Sequence, residues 1–81
     1  MTIEILKIGE VVRYHRKKAG LTQAKLASLA GIGKTVIYEI ERGKMSIQLD
    51  TLLKVLTILN IHISIESPLM KYFERLTNEK G

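Results

Sequence analysis

A chain of 81 residues is long enough for one small domain and too short for two. Hydrophobic residues make up 46 % of it and it has one proline, a composition that favours a folded chain. The lack of cysteine excludes disulfide bonds, thiolate zinc sites and cysteine nucleophiles. No apolar run approaches the roughly 20 residues that span a bilayer, and the N-terminus is untypical of a secretion signal, so we expect a cytoplasmic protein.

The net charge of +5 is concentrated in the first half of the chain. Residues 1–44 contain nine Lys or Arg and four Glu, whereas residues 45–81 contain four basic and four acidic residues. A basic excess confined to one segment is typical of a surface that binds a polyanion. A solubilising surface is the alternative interpretation, and charge alone is compatible with both.

Two helices are predicted at the start of the chain. The first covers residues 5–19, where apolar residues recur at helical spacing, and it ends at Gly20. Thr22 suits the N-cap of a second, short helix over residues 23–30, because its hydroxyl can accept a hydrogen bond from a free backbone N–H. Gly31 ends that helix.

Two further helices follow. The third covers residues 34–42 and begins only three residues after the second ends; its inner side carries Val36, Ile37 and Ile40, and its outer side is polar. The fourth runs from about residue 49 to residue 59. Its predicted apolar stripe consists of Leu52, Leu53, Leu56 and Leu59.

The period then changes from helical to alternating. Residues 61–66 alternate between isoleucine and polar residues, which predicts a strand. Pro68 ends the strand, and apolar residues return at helical spacing in a short amphipathic tail. The apolar residues of this tail are Leu69, Met70, Phe73 and Leu76.

Two short helices joined by a tight turn with a glycine form the skeleton of a helix-turn-helix motif. Gly31 allows the chain to reverse, and Leu26 and Ala30 can hold the apolar side of the third helix. The polar side of that helix is then left to enter the major groove of DNA.

The residues of this motif resemble the Cro/phage-repressor (Xre) class. The resemblance is carried by residues 20–27 (GLTQAKLA), by residues 30–32 (AGI) and by Ile37 with residues 40–44 (IERGK). It implies an all-α, four- to five-helix lambda-repressor-like DNA-binding domain, with one C-terminal strand that pairs across a dimer and a short C-terminal helix. We therefore divide the chain into a DNA-binding domain, residues 1–60, and a dimerisation strand with its tail, residues 61–81.

The resemblance also implies roles for individual side chains. In that class the residue at the Gln23 position caps the motif and holds a phosphate, the outer residues of the third helix face base edges, and the positions of Arg42 and Lys44 contact further phosphates. The expected DNA-binding residues are Thr22, Gln23, Lys25, Gly33, Lys34, Thr35, Tyr38, Glu39, Arg42 and Lys44. Arg16, which lies on an apolar stripe, is expected to form a partly buried ion pair with Glu41 instead.

Side-chain chemistry fits most of these roles. Lys34 can donate to guanine, Thr35 can place its methyl group against thymine, and Glu39 can accept from cytosine. Lys25 opposes the dipole of its helix, which indicates a phosphate nearby, although an exposed lysine would cost little there. Tyr38 suits packing as well as base contact. Gly33 lacks the hydroxyl that the class often has at this position.

One amphipathic strand leaves its backbone groups without partners. Antiparallel pairing with the same strand of a second copy would satisfy them and cover Ile61, Ile63 and Ile65. Such a homodimer would place two recognition helices about 34 Å apart, matching a palindromic DNA operator. A strand folded back on its own helices is the alternative.

A four- to five-helix DNA-binding unit followed by an isoleucine-rich strand and a short tail resembles the HipB-type antitoxins, and residues 53–65 carry this narrower resemblance. Those antitoxins pair through such a strand, repress their own operon and bind a HipA-type serine/threonine kinase toxin. The expected function is a DNA-binding repressor, with antitoxin as a subclass; a stand-alone regulator and a protein-interaction adaptor are the alternatives. The tail could contact a toxin or pack on its own dimer. We expect no enzyme, metal or cofactor, because no catalytic constellation is present and His15 and His62 have no third ligand.

Overall fold

The computed structural model describes the backbone of residues 4–80 and the side chains of residues 4–77. Residues 1–3 of the predicted DNA-binding domain and residue 81 of the predicted tail lie outside the described residues. Its helices are α1 (Ile8–Lys18), α2 (Gln23–Ala30), α3 (Lys34–Glu41), α4 (Leu49–Ile58) and α5 (Met70–Lys80), with a short 3-10 turn, Ile5–Lys7, before α1. The prediction of an all-α fold is confirmed. None of these helices is both long and apolar enough to cross a membrane.

The hydrophobic core lies between the first four helices. α1 packs on α3, and α2 packs on both α3 and α4, whereas α5 makes no comparable contact. The buried apolar residues are Val12, Leu26, Ala27, Ile37, Ile40, Val55 and Leu56. Burial of each Val, Leu or Ile side chain in this set stabilises the fold by about 1.5–3 kcal/mol.

The predicted stripe of α4 is wrong at one position. Leu53 is 44 % exposed, whereas Val55, which lies outside the predicted stripe, is fully buried. The reason is helical geometry: with 3.6 residues per turn, positions 52, 55, 56 and 59 share a face, and position 53 lies beside it. Leu52 and Leu59 pack against the core as expected.

The predicted strand is absent from the described part of the chain. Residues 61–67 form neither a helix nor a ladder with another segment of residues 4–80. A strand needs a neighbour with unused backbone groups, and the helices around it have bonded theirs internally. Ile61 packs against the core, but Ile63 and Ile65 are 44 % and 76 % exposed. Of the three isoleucines, therefore, only Ile61 packs on the helices of its own chain, as the alternative of a folded-back strand required of all three.

Gly31 sets the angle between α2 and α3. It adopts the left-handed conformation (φ 72°, ψ 33°), which glycine reaches without steric cost. The next N–H, that of Ile32, then donates back to the carbonyl oxygen of Ala27 at 2.9 Å, so the end of α2 is closed. Ile32 itself packs against the core, which anchors the turn.

Gly9 allows α1 to approach the end of α3 closely. A Cβ at this position would overlap the carbonyl oxygen of Ile40 and lie 3.2 Å from that of Glu41. An alanine usually stabilises a helix by about 1 kcal/mol relative to glycine. At Gly9 the clash is with backbone atoms, so only a shift of the whole helix can relieve it.

We therefore expect Gly9→Ala to lower the free energy of unfolding by about 1–3 kcal/mol in a urea titration, against the usual trend. Glu10→Ala, at the exposed neighbouring position of the same helix, is the control; it removes a carboxylate from the first turn and should lower the free energy of unfolding by no more than about 1 kcal/mol. A Gly9→Ala protein as stable as the original chain would show that α1 does not need this close approach.

Candidate nucleic-acid interface

The outer side of α3 is open to solvent. Lys34, Thr35 and Tyr38 are exposed and Glu39 is half-buried, while Ile37 and Ile40 on the opposite side are in the core. Hydrophobic packing fixes the inner side, and this leaves a row of polar side chains projecting outward. An exposed helix face of this kind, carried on a short turn, has the form required to enter a major groove.

Tyr38 is not a core residue. Its side chain is 48 % exposed, and the guanidinium of Arg42 lies 5.6 Å from the centre of its ring. A cation at this distance from an aromatic ring is attracted to its face. The two side chains thus extend the polar surface of α3 past its C-terminus.

Glu39 and Lys44 form an ion pair with each other. Lys44 Nζ lies 2.6 Å from Glu39 Oε2, and the two side chains are partly exposed. A base contact by Glu39 and a phosphate contact by Lys44 would therefore compete with this pair. Sequence reasoning missed it because the five-residue spacing exceeds the three- and four-residue spacings of helical ion pairs. The turn at Gly43 brings Lys44 back toward the helix.

A buried polar network joins α1, α2 and α3. Arg16 Nε donates to Glu41 Oε2 at 2.7 Å and Arg16 Nη2 donates to Glu41 Oε1 at 3.0 Å. Arg16 Nη1 also donates to the carbonyl oxygen of Leu21 at 2.9 Å. Gln23 Nε2 donates to Glu41 Oε1 at 3.2 Å. The network fixes the start of α2 against the end of α3.

Burial and hydrogen bonding act in opposite directions on Glu41. Burial raises the pKa of its carboxyl group, but hydrogen bonds from Arg16 and Gln23 and the charges of Arg16 and Arg13 outweigh burial. The pKa of Glu41 is therefore lowered from its ordinary value of 4.5. The carboxylate stays ionised and keeps its partners at neutral pH.

The N-terminus of α2 has a side-chain cap, an exposed lysine and a glutamine amide. The hydroxyl of Thr22 accepts a hydrogen bond from the backbone N–H of Lys25 at 3.0 Å, which confirms the predicted N-cap. The side chain of Lys25 is exposed, and that of Gln23 is half-buried with one of its two amide hydrogens donated to Glu41. Gly33, the N-cap of α3, is exposed and offers only its backbone.

A cleft between α1 and α3 adds residues that sequence reasoning did not include. Its volume is about 940 Å³, and it opens beside the outer side of α3. Arg13 and Lys17 line it from α1, one helical turn apart. The other lining residues are Glu10, Tyr14, Arg16, Lys18, Gln23, Tyr38, Glu41 and Arg42. The four-residue spacing of Arg13 and Lys17 is the signal in the sequence that indicates a shared face.

Comparisons with protein families and with other sequences both identify helix-turn-helix proteins. The helix-turn-helix family pattern matches residues 12–65. An uncharacterised HTH-type transcriptional regulator (y4mF) of Sinorhizobium fredii is 41 % identical over 61 residues, which cover 75 % of this chain and 80 % of that protein. Another such regulator, from Haemophilus influenzae, is 40 % identical over 50 residues, covering 62 % of this chain and 51 % of that protein.

Solved structures show the same fold. A chain of a HipA-HipB-O2-O3 complex superposes with a TM-score of 0.72, at 22 % identity, over 84 % of this chain and 96 % of that one. A HipB-O4 20mer complex gives a TM-score of 0.71 at 22 % identity, over the same shares of the two chains. At this identity the likeness concerns the arrangement of the helices.

Proposed function

The chain belongs to the helix-turn-helix family of transcription regulators, and from this membership we propose that it binds a palindromic DNA operator as a homodimer and represses transcription. The observation that carries the proposal is the outer side of α3: a row of exposed polar side chains, held outward by the buried side of the same helix. The basic excess of residues 1–44 supports it.

We assign the contacts by their position around α3. Lys34 and Thr35 begin the helix and are the proposed base-reading residues, with Tyr38 one turn further along. The proposed phosphate contacts lie at the two ends of the motif: Thr22, Gln23, Lys25 and the backbone of Gly33 at one end, Arg42 and Lys44 at the other. Glu39 remains a candidate for cytosine, in competition with Lys44.

A mobility-shift titration with operator-sized duplexes from the region upstream of the gene tests the proposal. Binding through several phosphate contacts should weaken steeply as salt is raised, and one duplex should bind more tightly than the others. An adaptor that uses the fold only as a scaffold would give weak binding without preference for any duplex, and that result would contradict the proposal.

We expect Lys34→Ala to relax base preference at one position of each half-site, at a cost of about 1–3 kcal/mol in binding. The reason is loss of a donor to one base edge, which leaves the phosphate contacts in place. Affinity for duplexes with each base pair changed in turn would measure it. Lys54→Ala, at an exposed position on α4, is the control. Equal weakening on all duplexes would mean that Lys34 contacts a phosphate.

The finer proposal is that this repressor is the antitoxin of a HipA-type kinase toxin and regulates its own operon. The HipB fold supports it, as does the exposed apolar side of the tail, where Leu69, Phe73 and Leu76 are 71 %, 57 % and 61 % exposed. A kinase encoded next to this gene should copurify with the chain. A stand-alone regulator would have no such neighbour and would still bind its operator.

A further inference from the structure

The cleft between α1 and α3 has two cations, Arg13 and Lys17, that lack a direct side-chain partner among residues 4–77. Arg16 is held by Glu41, Lys18 lies 5.6 Å from the ring of Tyr14, and Arg42 lies over Tyr38. Among the described side chains, no ion pair or hydrogen bond engages Arg13 or Lys17, which are both exposed. Two cations therefore face this opening, and no side chain that the structure describes pairs with either of them.

The charge in the cleft is strongly unbalanced. Five basic side chains line it against two carboxylates, and one of these, Glu41, is already neutralised by Arg16. Glu10 is the remaining acidic residue. Arg13 lines the cleft from α1, and its charge also helps to lower the pKa of the Glu41 carboxyl group. A concave surface with such an excess of positive charge concentrates anions.

The location of the cleft favours the backbone phosphates of DNA as the anions that it binds. Tyr38 and Arg42 belong both to the outer surface of α3 and to the wall of the cleft, and Gln23 at the start of α2 lies at its side. A duplex that takes α3 into its major groove carries its sugar-phosphate backbone along this flank. The cleft is thus continuous with the surface proposed to read DNA.

We propose that Arg13 and Lys17 of α1 bind a backbone phosphate of the operator in this cleft, so that the DNA contact extends beyond the helix-turn-helix. The inference rests on the proposed function. Positions one turn apart on a helix lie side by side, so the two cations can reach the same phosphate or two successive ones. Because phosphates carry no sequence information, the pair adds affinity and orientation without base preference.

A double variant, Arg13→Gln with Lys17→Gln, tests the inference. We expect tight and weak duplexes to lose affinity by the same factor, so that base preference is unchanged. The slope of log K against log salt should fall by about 0.9 for each phosphate that the variant no longer neutralises. Anisotropy titrations at several salt concentrations, with labelled duplexes from the upstream region, measure both quantities.

The matched control is Lys54→Gln with Lys71→Gln, which removes the same charge from α4 and α5. If this pair reduces affinity and slope equally, the effect is one of net charge, and the proposed contact is wrong. Unchanged binding by the cleft variant, in a chain that binds DNA, overturns the contact and leaves the proposed function standing. Failure of the original chain to bind any duplex overturns both.

Thermal unfolding of both double variants separates binding from folding. Lys17 also lies in the last turn of α1, where a cation stabilises the helix through its dipole. A cleft variant that loses DNA affinity at an unchanged melting temperature supports the contact. If the variant and the original chain have the same affinity once each is corrected for its folded fraction, the loss is one of folding, and the proposed contact is wrong. If the chain binds inorganic phosphate in the cleft but has no affinity for DNA, the cleft does not bind a phosphate of a duplex, and the proposed contact is wrong.

Discussion

Glu41→Ala is expected to lower the free energy of unfolding by about 3–5 kcal/mol, because it leaves the guanidinium of Arg16 buried without its counter-charge. The side chains of Arg16 and Glu41 are 10 % and 3 % exposed, so water from the cleft replaces the missing carboxylate only in part. The same change removes an acceptor from Gln23. A domain of this size has about 5–15 kcal/mol in total, so the loss is a large fraction.

Two other variants make this expectation specific. Glu39→Ala removes a carboxylate from the same helix, but its ion pair with Lys44 is partly exposed, so the expected loss is about 0–1 kcal/mol. Replacing both buried partners, Arg16→Met with Glu41→Leu, should recover most of the stability. Urea titrations at one protein concentration give all three values. Similar losses for Glu41→Ala and Glu39→Ala would show that burial does not strengthen the first pair.

The pH dependence of the network has a defined sign. The pKa of Glu41 is lower in the folded chain than its ordinary value of 4.5, so the unfolded chain binds this proton more readily. Its contribution to stability is therefore complete above about pH 4.5 and is lost as the pH falls through the folded pKa. The stability difference between the original chain and Glu41→Gln should narrow on acidification. A difference that is constant from neutral pH to about pH 3 would contradict the lowered pKa.

The sequence predicted the helices that bury a continuous apolar face. α2 matches its prediction at both ends, because a capping threonine and a left-handed glycine define them locally. α3 and α4 each end one residue before the predicted boundary, at positions where helix ends are not sharply defined. Local chemistry, namely caps, glycines and periodicity, was sufficient for these elements.

What the sequence did not reveal depends on contacts between distant segments. A glycine inside α1 is unremarkable until the carbonyl of Ile40 is seen to lie against it. The pairing of Glu39 with Lys44 requires knowledge of the turn at Gly43, and the cleft requires α1 and α3 to be placed side by side. The alternating segment is a different case, because a strand is defined by its neighbour as much as by its own residues.

Ile63→Asp is expected to convert the proposed homodimer to monomers and to weaken operator binding by about 10²–10⁴-fold. In the single chain Ile63 is 44 % exposed, so part of its apolar side chain is left open to solvent. If the alternating segments of two copies pair, the two aspartates lie close to each other across the two-fold axis, and like charges there repel. A monomer then loses the effective concentration that joins its two half-sites.

Ser64→Asp is the matched control, since it places the same charge one residue later, on the opposite face of the alternating segment. It should leave both the sedimentation of the dimer and its operator affinity nearly unchanged. If both variants dissociate the dimer, residues 61–66 do not pair as an alternating strand. If Ile63→Asp still sediments as a dimer, the interface lies elsewhere. The exposed apolar side of α5 then becomes the surface to change next, because Phe73 and Leu76 are 57 % and 61 % exposed on the same helix.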